Sequence, residues 1–175
     1  ARLFARRFNR IYNIEYFKEP QSFHFADKAV KVPGLDGSGK MGKSEGNCIY
    51  LCDDEKTVTK KIMRAVTDQG PTQLNQEKPE VIQNLFAFCE LISGKEAADY
   101  YNDLYNNMQI RYGDMKKQIA ADCNALLNPI RERIEAYASD EALLDSIMRQ
   151  GAEAASARAE KTIEEVRQII GFRAL

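Results

Sequence analysis

Lys40 and Lys43 stand three residues apart in the octapeptide GSGKMGKS, Gly37–Ser44, and each directly follows a glycine. Neither lysine is tied to a packed face, so the two ammonium groups can close on one polyphosphate. Met41, apolar between the two lysines, can anchor the loop when it closes.

Two other readings of the same residues stand beside this one. Gly37–Ser44 matches the phosphate-cradling pattern G-x-x-x-x-G-K-S letter by letter. A loop of that type runs from a strand into a helix whose N-terminal amides face the phosphates. Here Gly46 and Asn47 come next, which break a helix, and the segment after them is CIYLC. The other reading is a glycine-rich surface hairpin with solvated lysines.

The elements around the loop change character at about residue 53. Residues 1–13 read as an amphipathic helix, with Phe4, Phe8, Ile11 and Tyr12 on one face and Arg2, Arg6, Arg7 and Arg10 off it. Residues 14–30 read as irregular. Ala29–Val32 and Cys48–Cys52 are short strand candidates, and residues 34–47, with five glycines, are a loop. Asp53 or Asp54 caps a helix carrying Val58, Ile62, Ala65 and Val66. Pro79 opens an apolar helix closed by Gly94. A helix over about 96–108 is next, then a long one over about 113–137 that Pro129 should kink or break. A last helix runs from Ser139 or Asp140 to Ile170, with Gly171 ending it.

Composition narrows the class. With 44% hydrophobic and 29% charged residues the chain is of ordinary globular type, and no apolar run is long enough for a membrane span. The net charge of -1 argues against a generally basic nucleic-acid coat, so any nucleic-acid contact uses local patches. Residues 1–50 carry nine Lys or Arg against five Asp or Glu, and residues 51–110 carry six against ten. Cys48, Cys52, Cys89 and Cys123 read as reduced thiols of a cytoplasmic protein. No second close cysteine pair accompanies Cys48 and Cys52, and His24 is the single histidine, so no metal site is expected. His24 reads as an ordinary polar residue of an extended segment. Ala1 is not a start methionine and no cap precedes the first helix, so the chain reads as cut into something larger.

Lys40-Met41-Gly42-Lys43-Ser44 resembles the KMSKS signature of class I aminoacyl-tRNA synthetases, with Gly42 in place of the first serine. Gly46-Asn47-x-Ile49 is similar to the residues just after that signature in both tyrosyl and tryptophanyl enzymes. Asp54–Asp68, ending in Ala-Val-Thr-Asp, resembles a tryptophanyl helix. So do Gly151-Ala-Glu-x-Ala155, Ala159, Thr162-Ile163, Val166 and Ile170-Gly171-Phe172 near the C-terminus. Ala5-Arg-Arg-Phe8-Asn9 looks like the helix that precedes the KMSKS region. The resemblance spans essentially the whole chain and favours the tryptophanyl over the tyrosyl branch.

That resemblance implies a mainly α chain. Residues 1–52 would be the end of a Rossmann-type α/β catalytic domain with its KMSKS loop, and 53–175 an all-α anticodon-binding domain. It implies ATP with Mg2+, tryptophan and tRNA(Trp) as partners, and a homodimer when full length. By the family's pattern Lys40 and Lys43 stabilise the pyrophosphate leaving group, and Val32, Lys40, Met41, Gly42, Lys43 and Ser44 bind ATP, with backbone near Val32 holding adenine. No H-x-G-H-like or G-x-D-Q motif is present, so this chain looks like a C-terminal half that does not activate tryptophan alone. Arg111, Lys116, Lys117, Tyr105 and Tyr112 are candidates for RNA contact, against the reading of core tyrosines and solvated charges. The anticodon-reading residues are unknown from sequence. A stand-alone tRNA-binding module and a P-loop NTPase are the readings from other classes.

Overall fold

The computed structural model describes residues 1–23 and 32–172. Among them are six α-helices and no strand: α1 (Arg2–Tyr12), α2 (Glu55–Met63), α3 (Glu80–Ser93), α4 (Lys95–Asn106), α5 (Tyr112–Ala138) and α6 (Glu141–Ile170). The mainly α character is as expected. His24 and most of the Ala29–Val32 segment lie outside the described residues.

Helix ends obey local chemistry. The Asp54 carboxylate accepts from Thr57 N at 2.6 Å and opens α2, and Asp140 accepts from Leu143 N at 2.9 Å and opens α6. Each satisfies an amide that the first helical turn leaves unpaired. Gly171, at φ 81°, ends α6, with the Phe172 amide reaching back to Arg167 O at 2.9 Å. Pro129 sits inside α5, which runs through it without a break, so of the two outcomes expected there a break is excluded.

Cys48–Cys52 is not a strand. The Tyr50 amide donates to Asp53 Oδ2 at 2.8 Å and the Asp53 amide to Tyr50 O at 3.0 Å, which makes a turn. An isolated apolar pentapeptide has strand propensity but needs a neighbour to satisfy its amides. Here Asp53, next in the chain, supplies the acceptor instead.

By packing, the chain divides into two units: Ala1–Ala29 with Asp140–Leu175, and Val30–Ser139. In the second, α5 packs on α2 and α3, and α3 on α4. Its core holds Val58, Ile62, Leu85, Phe88, Cys89, Met115, Ile119 and Cys123. Several of these are fully buried, each contributing about 1.5–3 kcal/mol of hydrophobic transfer free energy. Val32, Leu35, Met41 and Ile49 lie against the same core, so the glycine-rich loop rests on it.

In the first unit Phe8, Tyr12, Tyr16 and Phe17 form a ring cluster with centroids 4.7–6.2 Å apart. The Asn9 side chain clasps Phe17 with bonds of 2.8 and 3.0 Å, folding residues 13–17 back on α1. The Tyr16 hydroxyl donates to Glu165 of α6 at 2.7 Å. Phe4 and Ile11 stand 74% and 70% exposed on α1, so the apolar face read from the sequence is largely uncovered in this chain. No described helix is long and apolar enough to cross a membrane.

Candidate phosphate-binding loop

The loop is built around one asparagine. Asn47 Oδ1 accepts from the Gly42 amide at 2.9 Å. Its Nδ2 lies 2.7 Å from Ser38 Oγ, 3.0 Å from Asp36 Oδ1 and 3.1 Å from Lys40 O. The Ser38 amide closes the same knot on Asp36 at 3.0 Å. Hydrogen bonding from Ser38 and then Asn47 pulls the Asp36 carboxyl from 3.8 down to about 2, because these donors favour the charged form.

Gly34 is required by that knot. A Cβ there would meet Ser38 Oγ at 2.4 Å and Asn47 Nδ2 and Asp36 Oδ1 at 2.6 Å each. Two backbone bonds complete the frame: Gly34 N to Ser38 O at 3.2 Å, and Met41 N to Val32 O at 2.9 Å.

Val32, Lys40, Met41, Gly42, Lys43 and Ser44 are thus brought together on one short, internally bonded segment. Val32, Met41 and Gly42 are half-buried while Lys40, Lys43 and Ser44 are exposed. Met41 rests on the core, which fits its expected part as an apolar anchor. The ammonium groups of Lys40 and Lys43 make no hydrogen bond or ion pair among the described residues. Ser44 Oγ lies 3.3 Å from Glu45 Oε1. Ser44 sits in a single 3-10 turn, Lys43–Glu45, that stops at Gly46 with φ 68°. No α-helix starts behind the lysines, so the helix N-terminus that a P-loop needs is missing.

The Ala-Val-Thr-Asp segment just after α2 joins the loop to α5. The Val66 amide donates to Leu35 O at 2.9 Å. Lys116 Nζ donates to Ala65 O at 2.7 Å and lies 3.5 Å from Thr67 Oγ1. The Tyr112 hydroxyl donates to Asp68 Oδ1 at 2.7 Å. Burial lowers the Lys116 ammonium below its ordinary value, and burial raises the Tyr112 phenol, with the Asp68 bond adding to it.

These placements correct part of the RNA-contact list. Tyr105 is fully buried and Lys116 nearly so, and Tyr112 is spent on Asp68, so none of the three presents a free face for a base. Arg111 is exposed beside an open cavity of about 610 Å³ lined also by Tyr100, Tyr101 and Gln109, and Lys117 pairs with Asp114 at 3.5 Å. The sequence reading missed Asp36, Ser38 and Asn47 as organisers of the loop. Its available signal was the Asx chemistry of Asp-x-Ser, in which a carboxylate accepts the amide two residues on. The four cysteines are free thiols; Cys48, Cys89 and Cys123 are buried and Cys52 is exposed.

The family described as tRNA synthetases class I (W and Y) matches residues 1–128, and the chain belongs to that family. A tryptophan–tRNA ligase of Porphyromonas gingivalis is 58% identical over 173 residues, covering 99% of this chain and 53% of the relative. One from Streptococcus pyogenes is 36% identical, covering 98% of this chain and 52% of the relative. A crystal structure of tryptophanyl-tRNA synthetase from Campylobacter jejuni with ADP and tryptophan superposes with a TM-score of 0.72 at 25% identity, covering 97% of this chain and 52% of that one. The chain therefore spans about half the length of the relatives it matches.

Proposed function

We propose that this chain is the C-terminal half of a tryptophan–tRNA ligase. Residues 1–52 would form the end of its catalytic domain and 53–175 its helical anticodon-binding domain. The observation that carries the reading is the Asn47-centred frame, which holds Lys40 and Lys43 exposed, and unpaired among the described residues, on a loop of KMSKS type.

In the complete enzyme the tryptophan carboxylate attacks the α-phosphate of ATP, giving the adenylate and releasing pyrophosphate. Lys40 and Lys43 offset the charge that builds on the departing phosphates, Ser44 donates to a phosphate oxygen, and backbone near Val32 holds adenine. Gly42 contributes its amide geometry and no hydroxyl. In the complete enzyme ATP would enter as its Mg2+ salt. The adenylate then passes its acyl group to tRNA(Trp). A cytoplasmic homodimer is the form in which we place the complete protein.

The test is tryptophan-dependent ATP–pyrophosphate exchange by the complete enzyme with and without Lys43→Ala. Loss of one well-placed charge at the leaving group should lower the rate by about 10²–10³-fold, or roughly 2–4 kcal/mol. An unchanged rate removes Lys43 from the mechanism. This chain alone should show no exchange.

A further inference from the structure

The peptide unit between Ala65 and Val66 is held at both of its polar atoms. Its oxygen accepts from the Lys116 ammonium at 2.7 Å, and its N–H donates to Leu35 O at 2.9 Å. A trans peptide is planar, with C=O and N–H pointing opposite ways, so this single unit spans rigidly from α5 to the loop's lead-in. A cation on the oxygen also polarises the amide and strengthens the bond it donates, most of all away from water. Ala65 is 5% and Lys116 7% exposed. Leu35 adjoins Asp36, and Asp36 is bonded to the Asn47 side chain that holds Gly42.

The other end of the loop is held from the same helix. Arg131 Nη1 donates to Asp53 O at 2.8 Å, and Asp53 Oδ2 receives the Tyr50 amide at 2.8 Å and Lys61 Nζ at 2.5 Å. Arg131 is itself fixed by Asn124 and Asn128, both earlier along α5. Lys116 and Arg131 are fifteen residues apart, about 22 Å along the helix.

We infer that α5 is a two-point clamp on the phosphate-binding loop, with Lys116 and Arg131 as positioning residues for its lysines. This rests on the proposed activation reaction for its kinetic consequence, and on geometry alone for its structural one. Neither residue is among those assigned to ATP: Lys116 holds the Ala65–Val66 peptide that bonds Leu35, and Arg131 holds the backbone at Asp53. A displacement of about 1 Å at a charge-stabilising group can cost on the order of 10²-fold in rate.

The experiment is made on the complete enzyme with Lys116→Met, which keeps the bulk and removes the donor, and with Arg131→Lys, which keeps the charge and cannot make the same fork. Gln118→Ala, an exposed α5 position, is the control. Hydrogen exchange should quicken about tenfold or more at Val66, Met41 and Gly42 in Lys116→Met, while amides of α3 and α4 keep their protection. The rate constant for activation should fall about 10–100-fold in each variant, with the KM for tryptophan unchanged. Unchanged loop exchange and unchanged rates in both variants overturn the clamp. If Lys116→Met loses protection throughout α3 and α4, Arg131→Lys decides by the same readouts. A wild-type enzyme without tryptophan activation overturns the proposed function instead, and the exchange measurement still tests the clamp.

Discussion

The Gly42 amide donates to Asn47 Oδ1 at 2.9 Å, across the turn that carries Lys43 and Ser44. The same asparagine holds the Lys40 carbonyl through its nitrogen at 3.1 Å. One side chain therefore fixes the backbone beside both lysines, and leaves the lysines' own charges for a ligand.

Asn47→Ala removes these bonds together with those to Ser38 and Asp36. The freed groups are mostly near water and can rehydrate, so the expected loss of stability is modest, about 1–2 kcal/mol by denaturant unfolding. Activation by the complete enzyme should fall much more than stability does. Equal, small effects on both would show that the frame does not order the lysines.

Gly42→Ser, which restores the hydroxyl of the family signature, should be tolerated. Gly42 has φ -146° and ψ 139°, an extended conformation open to any residue. A Cβ there meets Glu45 Cγ at 3.1 Å, part of an exposed, flexible side chain. Melting should put the change within about 0.5 kcal/mol of the parent. A large destabilisation would mean that the loop needs glycine at this position, as it does at Gly34.

The loop's order should depend on acid through Asp36. Its carboxyl titrates near 2 when folded, against 3.8 for the free group. A depressed folded value contributes stability that is complete above the free value and is lost as pH falls toward 2. An NMR titration should show the Ser38 amide and Asn47 side-chain signals steady from neutrality to about pH 4 and moving below it. Asp36→Asn should flatten that response.

Two tyrosines make a paired test of the core. The Tyr105 hydroxyl is buried without a hydrogen-bond partner among the described residues, whereas Tyr112 donates to Asp68 at 2.7 Å. Tyr105→Phe should be neutral or slightly stabilising. Tyr112→Phe leaves Asp68 with the Gly70 amide alone, at 2.8 Å, and should cost about 1 kcal/mol, read from urea midpoints. The reverse order would show that the Tyr112 bond is not formed in solution.

Most helix starts and stops were legible because their chemistry is local, but α2 stops at Met63, short of Ala65 and Val66, which the sequence reading placed on it. Asp54 and Asp140 bond amides three residues on, and Gly171 bends where a side chain would strain. The position of Lys40, Met41 and Lys43 on a glycine-flanked loop was legible for the same reason. Cys48–Cys52 was misread because strand formation depends on a neighbouring strand, which no five-residue window contains.

By itself the sequence determined the order of helices, their caps and a loop whose residue types suit phosphate. Only the tertiary structure decided what holds that loop. Lys116 looks like any solvated lysine on a helix, and its partner Ala65 lies fifty-one residues earlier in the chain. Arg131 and Asp53 are seventy-eight apart. A backbone carbonyl carries no side-chain signature, so bonds to it leave no trace in residue type and appear only when the chain has folded.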